Sequence, residues 1–233
     1  MTQSGGDEKK SINELGDVLI ETTSMHGGDI SSQRFDDLDK KALQYALSKN
    51  ENVTAVDIGC GLGAQGLRFS LIGAQVTLID TMDISERVSV LNKLFDMVNM
   101  DFVNKDVRNL RAEDIPTEID VVYSQRFIHY LTFDEAKSLL ELVGEHVASG
   151  GRIYLSASGL RTELGEGYPD RQEPPEHRYS SLKPSIAEKH GIHDHVCLYE
   201  KEDMRKLLMH AGFKPIDIFT SSFGNIKGIA KKK

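Results

Sequence analysis

Val53-Thr54-Ala55-Val56-Asp57-Ile58-Gly59-Cys60-Gly61-Leu62-Gly63-Ala64-Gln65-Gly66 joins a short apolar, β-branched run to a cluster of glycines, and a helical pattern follows. A strand, tight turn and helix built this way brings bare backbone close to a ligand, because glycine accepts positive φ and has no Cβ in the way. Gly61 to Gly66 also reads G-x-G-x-x-G, a weak dinucleotide signal when it stands alone. Asp57 changes the reading. A carboxylate aimed into such a turn repels a pyrophosphate and attracts a cation.

From residue 53 onward, strand and helix signals alternate. A helix is expected over about 64–72, a strand over 75–80, a helix over about 84–98 and a strand over about 100–104. Another strand is expected over 119–124. Thr132-Phe133-Asp134-Glu135 then reads as a capping box that opens a helix, which Gly150-Gly151 should stop. Strand 152–157, a helix over about 201–211, and two terminal strands around Phe223-Gly224 complete the pattern. Alternation of this kind implies parallel pairing in an open α/β sheet. Upstream, residues 1–10 are polar and are expected to be a disordered tail. Residues 11–50 should form a helical flank, with one helix on Ile12, Leu15, Val18, Leu19 and Ile20 and a second starting at Ser31 or Ser32. Residues 158–198 hold four of the six prolines and are expected to be an irregular insertion over the carboxyl ends of the strands. One domain, 11–233, accounts for the chain.

Charge and cysteine usage narrow the function. A net charge of −8 argues against a nonspecific polyanion binder. Two cysteines, Cys60 and Cys197, form no disulfide framework. No signal-peptide core and no apolar run of about 20 residues is present, so a cytoplasmic protein without a membrane partner is expected.

In a sheet of this kind the strand ends line the ligand crevice. Those ends carry Asp57 with its glycines, Asp80, Asp106 and Ser124-Gln125-Arg126. An acid ending the second strand suits both ribose hydroxyls, and Asp106 beside the Val107 N–H suits an adenine edge. The constellation resembles the class I S-adenosylmethionine-dependent methyltransferases. Residues 56–63 are similar to their first motif, 76–80 to the second, 104–107 to the third, 120–124 to the fourth, and 148–153 to the turn into the fifth strand. The resemblance implies an open seven-stranded, mostly parallel sheet in the order 3-2-1-4-5-7-6, with helices on both faces and a terminal antiparallel hairpin. It implies S-adenosylmethionine as methyl donor and S-adenosylhomocysteine as product. Gly59, Gly61 and Gly63 would lie against the methionine portion, Asp57 would face its ammonium, and Asp80 with Thr81 would hold the ribose. Met82 would pack on adenine, Asp106 and Val107 would read it, and Ser124, Gln125 and Arg126 would sit near the methyl. Arg34 is a candidate to reach the ligand carboxylate from the flank.

His129, five residues past the fourth strand, is the candidate general base, needed only if the acceptor must lose a proton. His190, His193 and His195 have metal-like spacing, but a solvated loop explains them and no metal is expected. The acceptor is expected to be an oxygen or nitrogen of a small molecule, with a protein as second choice. An Asn/Asp-Pro-Pro-aromatic motif is missing after the fourth strand and no Pro-Cys pair exists, so nucleic acid is not expected. Arg126, Arg161, Arg171 and Arg178 hint at an anionic group. Two other readings stay open: a nicotinamide oxidoreductase, for which Tyr179-x-x-x-Lys183 offers a pair, and a non-catalytic binding subunit of the same fold.

Overall fold

The computed structural model describes residues 35–49 and 52–233. The expected tail, the first helix and Arg34 lie outside the described residues. Helices α1 (Asp37–Ser48), α2 (Ala64–Leu71), α3 (Ser85–Leu94), α4 (Phe133–His146), α5 (Pro184–His190) and α6 (Lys201–His210) surround a seven-stranded sheet. Its strands are β1 (Thr54–Ile58), β2 (Gln75–Asp80), β3 (Met100–Asn104), β4 (Ile119–Gln125), β5 (Val147–Ala157), β6 (Phe213–Thr220) and β7 (Ile226–Lys232). They run in the order β3-β2-β1-β4-β5-β7-β6. The first five pair in parallel, and β7 enters antiparallel between β5 and β6.

Side-chain alternation along the central strands sorts two cores. Ala55, Leu78, Tyr123 and Tyr154 face the α1–α2–α3 side, where Leu38, Phe69 and Val88 cover them. Val56, Ile58, Val122 and Ile153 face the other side, under Leu140 and Val143 of α4 and Leu208 of α6. Gly66 is the contact that lets α2 lie close on the sheet. A Cβ there would stand 2.2 Å from Leu78 Cδ2 and 3.3 Å from Val76 Cγ1, both on β2. Leu78 is fully buried and has nowhere to move. Gly66→Ala is therefore expected to cost about 1–3 kcal/mol by overpacking, read as a lower urea midpoint; an unchanged midpoint would contradict this packing.

The elements depart from sequence expectation at three ends. The described part of the flanking helix begins at Asp37, with Asp36 as N-cap in a reciprocal box with Asp39, and not at Ser31 or Ser32. The box satisfies amide donors that otherwise have no intrahelical partner. Helix α3 stops at Leu94 because Phe95 turns extended (φ −131°, ψ 105°), and the chain bends to bury Val98. The capping box of Thr132 and Glu135 opens α4 as expected, but the helix ends at His146. Gly150 and Gly151 lie inside β5, in a bulge where pairing jumps from Ile119↔Val147 to Val121↔Arg152.

The 158–198 segment is more regular than its prolines suggest. It forms α5 and two 3₁₀ turns, Glu163–Gly165 and Pro175–His177. It also closes a small apolar core of its own around Leu160, Tyr168, Leu182, Ile186 and Val196. Arg178, nearly buried, anchors it by donating to the Glu173 and Leu198 carbonyls and by pairing with Asp203 of α6 at 2.7 Å.

Candidate functional site

The turn after β1 has the geometry its glycines require. Gly59, Gly61 and Gly63 adopt φ of 66°, 54° and 74°, in the left-handed region that a side chain disfavours. A Cβ on Gly59 would also strike the Phe127 ring at 2.3 Å, so the ring closes directly over this turn.

Asp57 sits beneath the turn and is 3% exposed. Its Oδ2 accepts the Gly66 N–H at 3.1 Å, so Gly66 serves the carboxylate as well as the packing. Burial pushes Asp57 up to about 8, with the Asp39 and Asp80 charges adding to the rise and Arg68 opposing it. A cation placed beside this acid would favour its charged form. Asp80 ends β2 with both oxygens anchored, one by the Gly61 N–H at 2.8 Å and the other by the Met82 N–H at 2.9 Å. Each carboxylate oxygen accepts more than one bond, so the anchored group keeps capacity for hydroxyls. Thr81 is exposed, and its carbonyl accepts from Asn104. Met82, 37% exposed, offers an apolar surface beside them.

Other candidates are held differently from expectation. The Asp106 carboxylate accepts the Arg108 N–H at 2.9 Å and pairs with the Arg108 guanidinium at 3.1 Å. It is a capping and ion-pairing group here, which leaves the buried Val107 as the neighbouring backbone. Gln125 donates its amide to Asp36 at 2.8 Å, spending on α1 the group expected to face a ligand. Ser124 is 1% exposed, and its Oγ has no hydrogen-bond partner. His129 is 2% exposed, with Nε2 at 3.5 Å from Ser158 Oγ and its carbonyl accepting from Cys197. In this conformation a base at His129 would serve only an acceptor buried alongside it. Arg126 adopts φ 51°, one of two non-glycine residues with positive φ among those described.

A network that local sequence does not reveal joins α1 to this edge. Lys227 of β7, its side chain 4% exposed, reaches both Asp36, at 2.8 Å, and Asp37. Tyr123, beside Asp57 in the β1–β4 register, donates to Asp39 at 2.6 Å. Burial pushes Asp39 up to about 6 against that bond. Burial also opposes ionisation of Asp36, but the Lys227 bond and charge hold it below the ordinary carboxylate value. Gln65, in the first turn of α2, is 6% exposed with an unpartnered Nε2. Only tertiary contacts bring these groups together.

The histidine spacing has a different use. His190 pairs with Glu163 at 3.1 Å and His195 packs edge-on against Tyr179, ring centroids 5.5 Å apart. Among the described residues no three His, Cys, Asp or Glu side chains converge as a metal site needs. Tyr179 and Lys183 share no helix, since α5 begins after Lys183, whose ammonium pairs with Glu166. Among the described residues no helix is long and apolar enough to cross a membrane.

A family model described as a methyltransferase domain matches residues 55–151, from β1 into β5. The strand order with its inserted antiparallel β7 is the arrangement of that fold. Residues 55–151 carry a methyltransferase domain, in a chain with the class I methyltransferase fold. The chain is 29% identical over 115 residues to the ribosomal RNA small subunit methyltransferase G of Oenococcus oeni, covering 48% of this chain and 46% of that protein. It is 28% identical over 116 residues to the ubiquinone biosynthesis O-methyltransferase of Xanthomonas euvesicatoria, covering 49% and 47%. The chain thus spans about half the length of the curated relatives it matches. The methyltransferase domain is also similar in fold to the 1,6-didemethyltoxoflavin-N1-methyltransferase of Burkholderia thailandensis, solved with S-adenosylhomocysteine. The TM-score there is 0.60 at 15% identity, covering 84% of this chain and 79% of that one.

Proposed function

We propose that the protein transfers a methyl group from S-adenosylmethionine to an oxygen or nitrogen of a small-molecule acceptor. The observation that carries this reading is Asp57, a buried carboxylate under a turn of three left-handed glycines, one strand from the anchored Asp80. A pyrophosphate over that turn would meet a like charge, whereas a ligand ammonium would complete the site. The residues present suit the donor. Asp57 would take the ammonium, Asp80 the ribose hydroxyls, and Met82 with the Val107 backbone the adenine. Gly59, Gly61 and Gly63 let the chain approach closely. When bound, the donor supplies an electrophilic sulfonium methyl for in-line displacement, so what this chain must provide is alignment and exclusion of water.

The small-molecule choice is supported by the names of two proteins above, one given for ubiquinone biosynthesis and one for 1,6-didemethyltoxoflavin. The ribosomal RNA relative raises a polynucleotide acceptor, and the charge of −8 weighs against it. The scaffold alternative would leave Asp57 buried at the cost of its raised pKa with no ligand to use it. The test is formation of S-adenosylhomocysteine from S-adenosylmethionine with fractions of a cell extract. Turnover is expected with the low-molecular-mass fraction. Turnover confined to the protein or RNA fraction would overturn the acceptor class, and none in any fraction would overturn the reading.

A further inference from the structure

The arginines that hinted at an anionic acceptor separate once their partners are known. Arg171 donates to the Leu160 and Gly165 carbonyls, and Arg178 is spent on Asp203 and two carbonyls. Both are structural clamps of the insertion. Arg161 is exposed. Arg126 differs from all three. It is half-buried at the crevice end of β4, and its guanidinium makes no salt bridge to any described residue.

Its backbone is fixed in a costly state. A left-handed arginine costs on the order of 1 kcal/mol or more, and the Arg126 N–H is pinned to the Ser156 carbonyl at 2.8 Å. The next residue, Phe127, lays its ring over Gly59 of the donor turn. Burial pushes the half-buried Tyr130 phenol up to about 12, with the Arg126 charge opposing that rise and the Asp194 charge adding to it. The Tyr130 carbonyl accepts from Tyr179, whose ring meets His195 edge-on. Arg126, in no salt bridge with any described residue, thus stands at the crevice end of β4 beside the ring that covers the methyl-donor turn. Asp57 and Asp80, the acids of the turn, lie on the other strands of the same edge. A half-buried, unpaired guanidinium gains most from a bidentate anion.

We propose that the methyl acceptor carries an anionic group, a carboxylate or a group of the same geometry, which pairs with Arg126. The proposal rests on the methyl-transfer reading above. It makes Arg126 a specificity determinant, and it brings an anionic acceptor up to a cationic donor in a shielded site, where opposite charges attract most strongly.

The probe is sodium benzoate, an aryl carboxylate, titrated into the whole protein with and without S-adenosylhomocysteine, with benzamide as the uncharged counterpart. Benzoate is expected to bind wild type at least about tenfold more tightly than benzamide. Arg126→Gln should lose that preference and Arg126→Lys should keep part of it. Equal binding of the two probes to wild type, no binding of benzoate, or equal benzoate affinity in wild type and Arg126→Gln would each overturn the proposal. Should Arg126→Gln fail to fold, the wild-type comparison of the two probes decides alone. Failure of S-adenosylhomocysteine itself to bind would overturn the methyl-transfer reading, and the titration without it would still report on the anion site.

Discussion

Asp57→Asn is expected to raise stability while costing methyl-donor binding about ten- to a hundredfold. The two effects share one cause. Asp57 is 3% exposed and pushed up to about 8 by burial, whereas in the unfolded chain it titrates near 3.8. Between those values the folded state holds a proton that the unfolded state has lost. Stability attributable to this group therefore falls as pH rises from about 4 to about 8, and is level above that. Asparagine removes the penalty and keeps an oxygen for the Gly66 N–H, which Asp57 accepts at 3.1 Å. The gain is expected to vanish near pH 4 and to reach a few kcal/mol near pH 8, with each kcal/mol worth about 2–4 °C in melting temperature for a chain of this size. The same substitution deletes the charge that answers the ligand ammonium. A charge-assisted bond in a buried site is worth about 1.5–3 kcal/mol, hence the affinity loss. Melting curves at pH 4, 6 and 8, paired with binding of S-adenosylhomocysteine, check both halves. A variant that is less stable at pH 8, or one that binds as well as wild type, would contradict the assignment.

Arg178→Ala is expected to cost about 3–5 kcal/mol, the loss typical of breaking a buried ion pair from one side. Arg178 and Asp203 are 6% and 7% exposed at their side chains and 2.7 Å apart. Removing the guanidinium leaves the Asp203 carboxylate buried, held only by the Glu200 N–H at 2.7 Å. The Glu173 and Leu198 carbonyls lose their donors as well. Since these contacts tie the insertion to α6, the insertion should become the first site of proteolytic cutting. Arg178→Lys keeps the charge but cannot reproduce the fork, and should recover only part of the loss. Adding Asp203→Asn to Arg178→Ala should restore stability relative to Arg178→Ala alone, because no unpaired charge remains. Urea unfolding of the variants measures this. A loss below about 1 kcal/mol for Arg178→Ala would show that the pair does not hold the insertion in place.

What local sequence could reveal here was whatever one stretch of chain decides. The β1 turn depends on Asp57 and its glycines within a few residues, and the parallel sheet on strands that alternate with helices. The α4 capping box needs only Thr132 and Glu135. Missed features depend on residues far apart. Lys227 meets Asp36 across the whole domain, and Tyr123 meets Asp39 only because α1 lies over β4. Asp106 reads from its place as an adenine contact, but Arg108 and Glu135 form an ion-pair group around it. Gln125 reads as a ligand-facing residue until Asp36 claims its amide. Prolines in the insertion suggested irregular chain because they rule out long helices. They do not prevent short turns from burying Tyr168 and Ile186 together. Gly66 reads in sequence as the last glycine of a dinucleotide-like pattern, whereas in the structure it packs α2 on the sheet and its N–H holds the Asp57 carboxylate.

This crevice is expected to bind a cationic methyl donor through Asp57 and not a dinucleotide. Calorimetric titration of wild type at pH 7 in two buffers of different ionisation enthalpy tests it most directly. S-adenosylhomocysteine is expected to bind with release of about one proton, since Asp57 is protonated below about 8 and must ionise to meet the ammonium. Proton release should disappear in Asp57→Asn, and NADH should not bind. Tight binding of NADH, or S-adenosylhomocysteine binding that releases no proton and ignores Asp57→Asn, would contradict it.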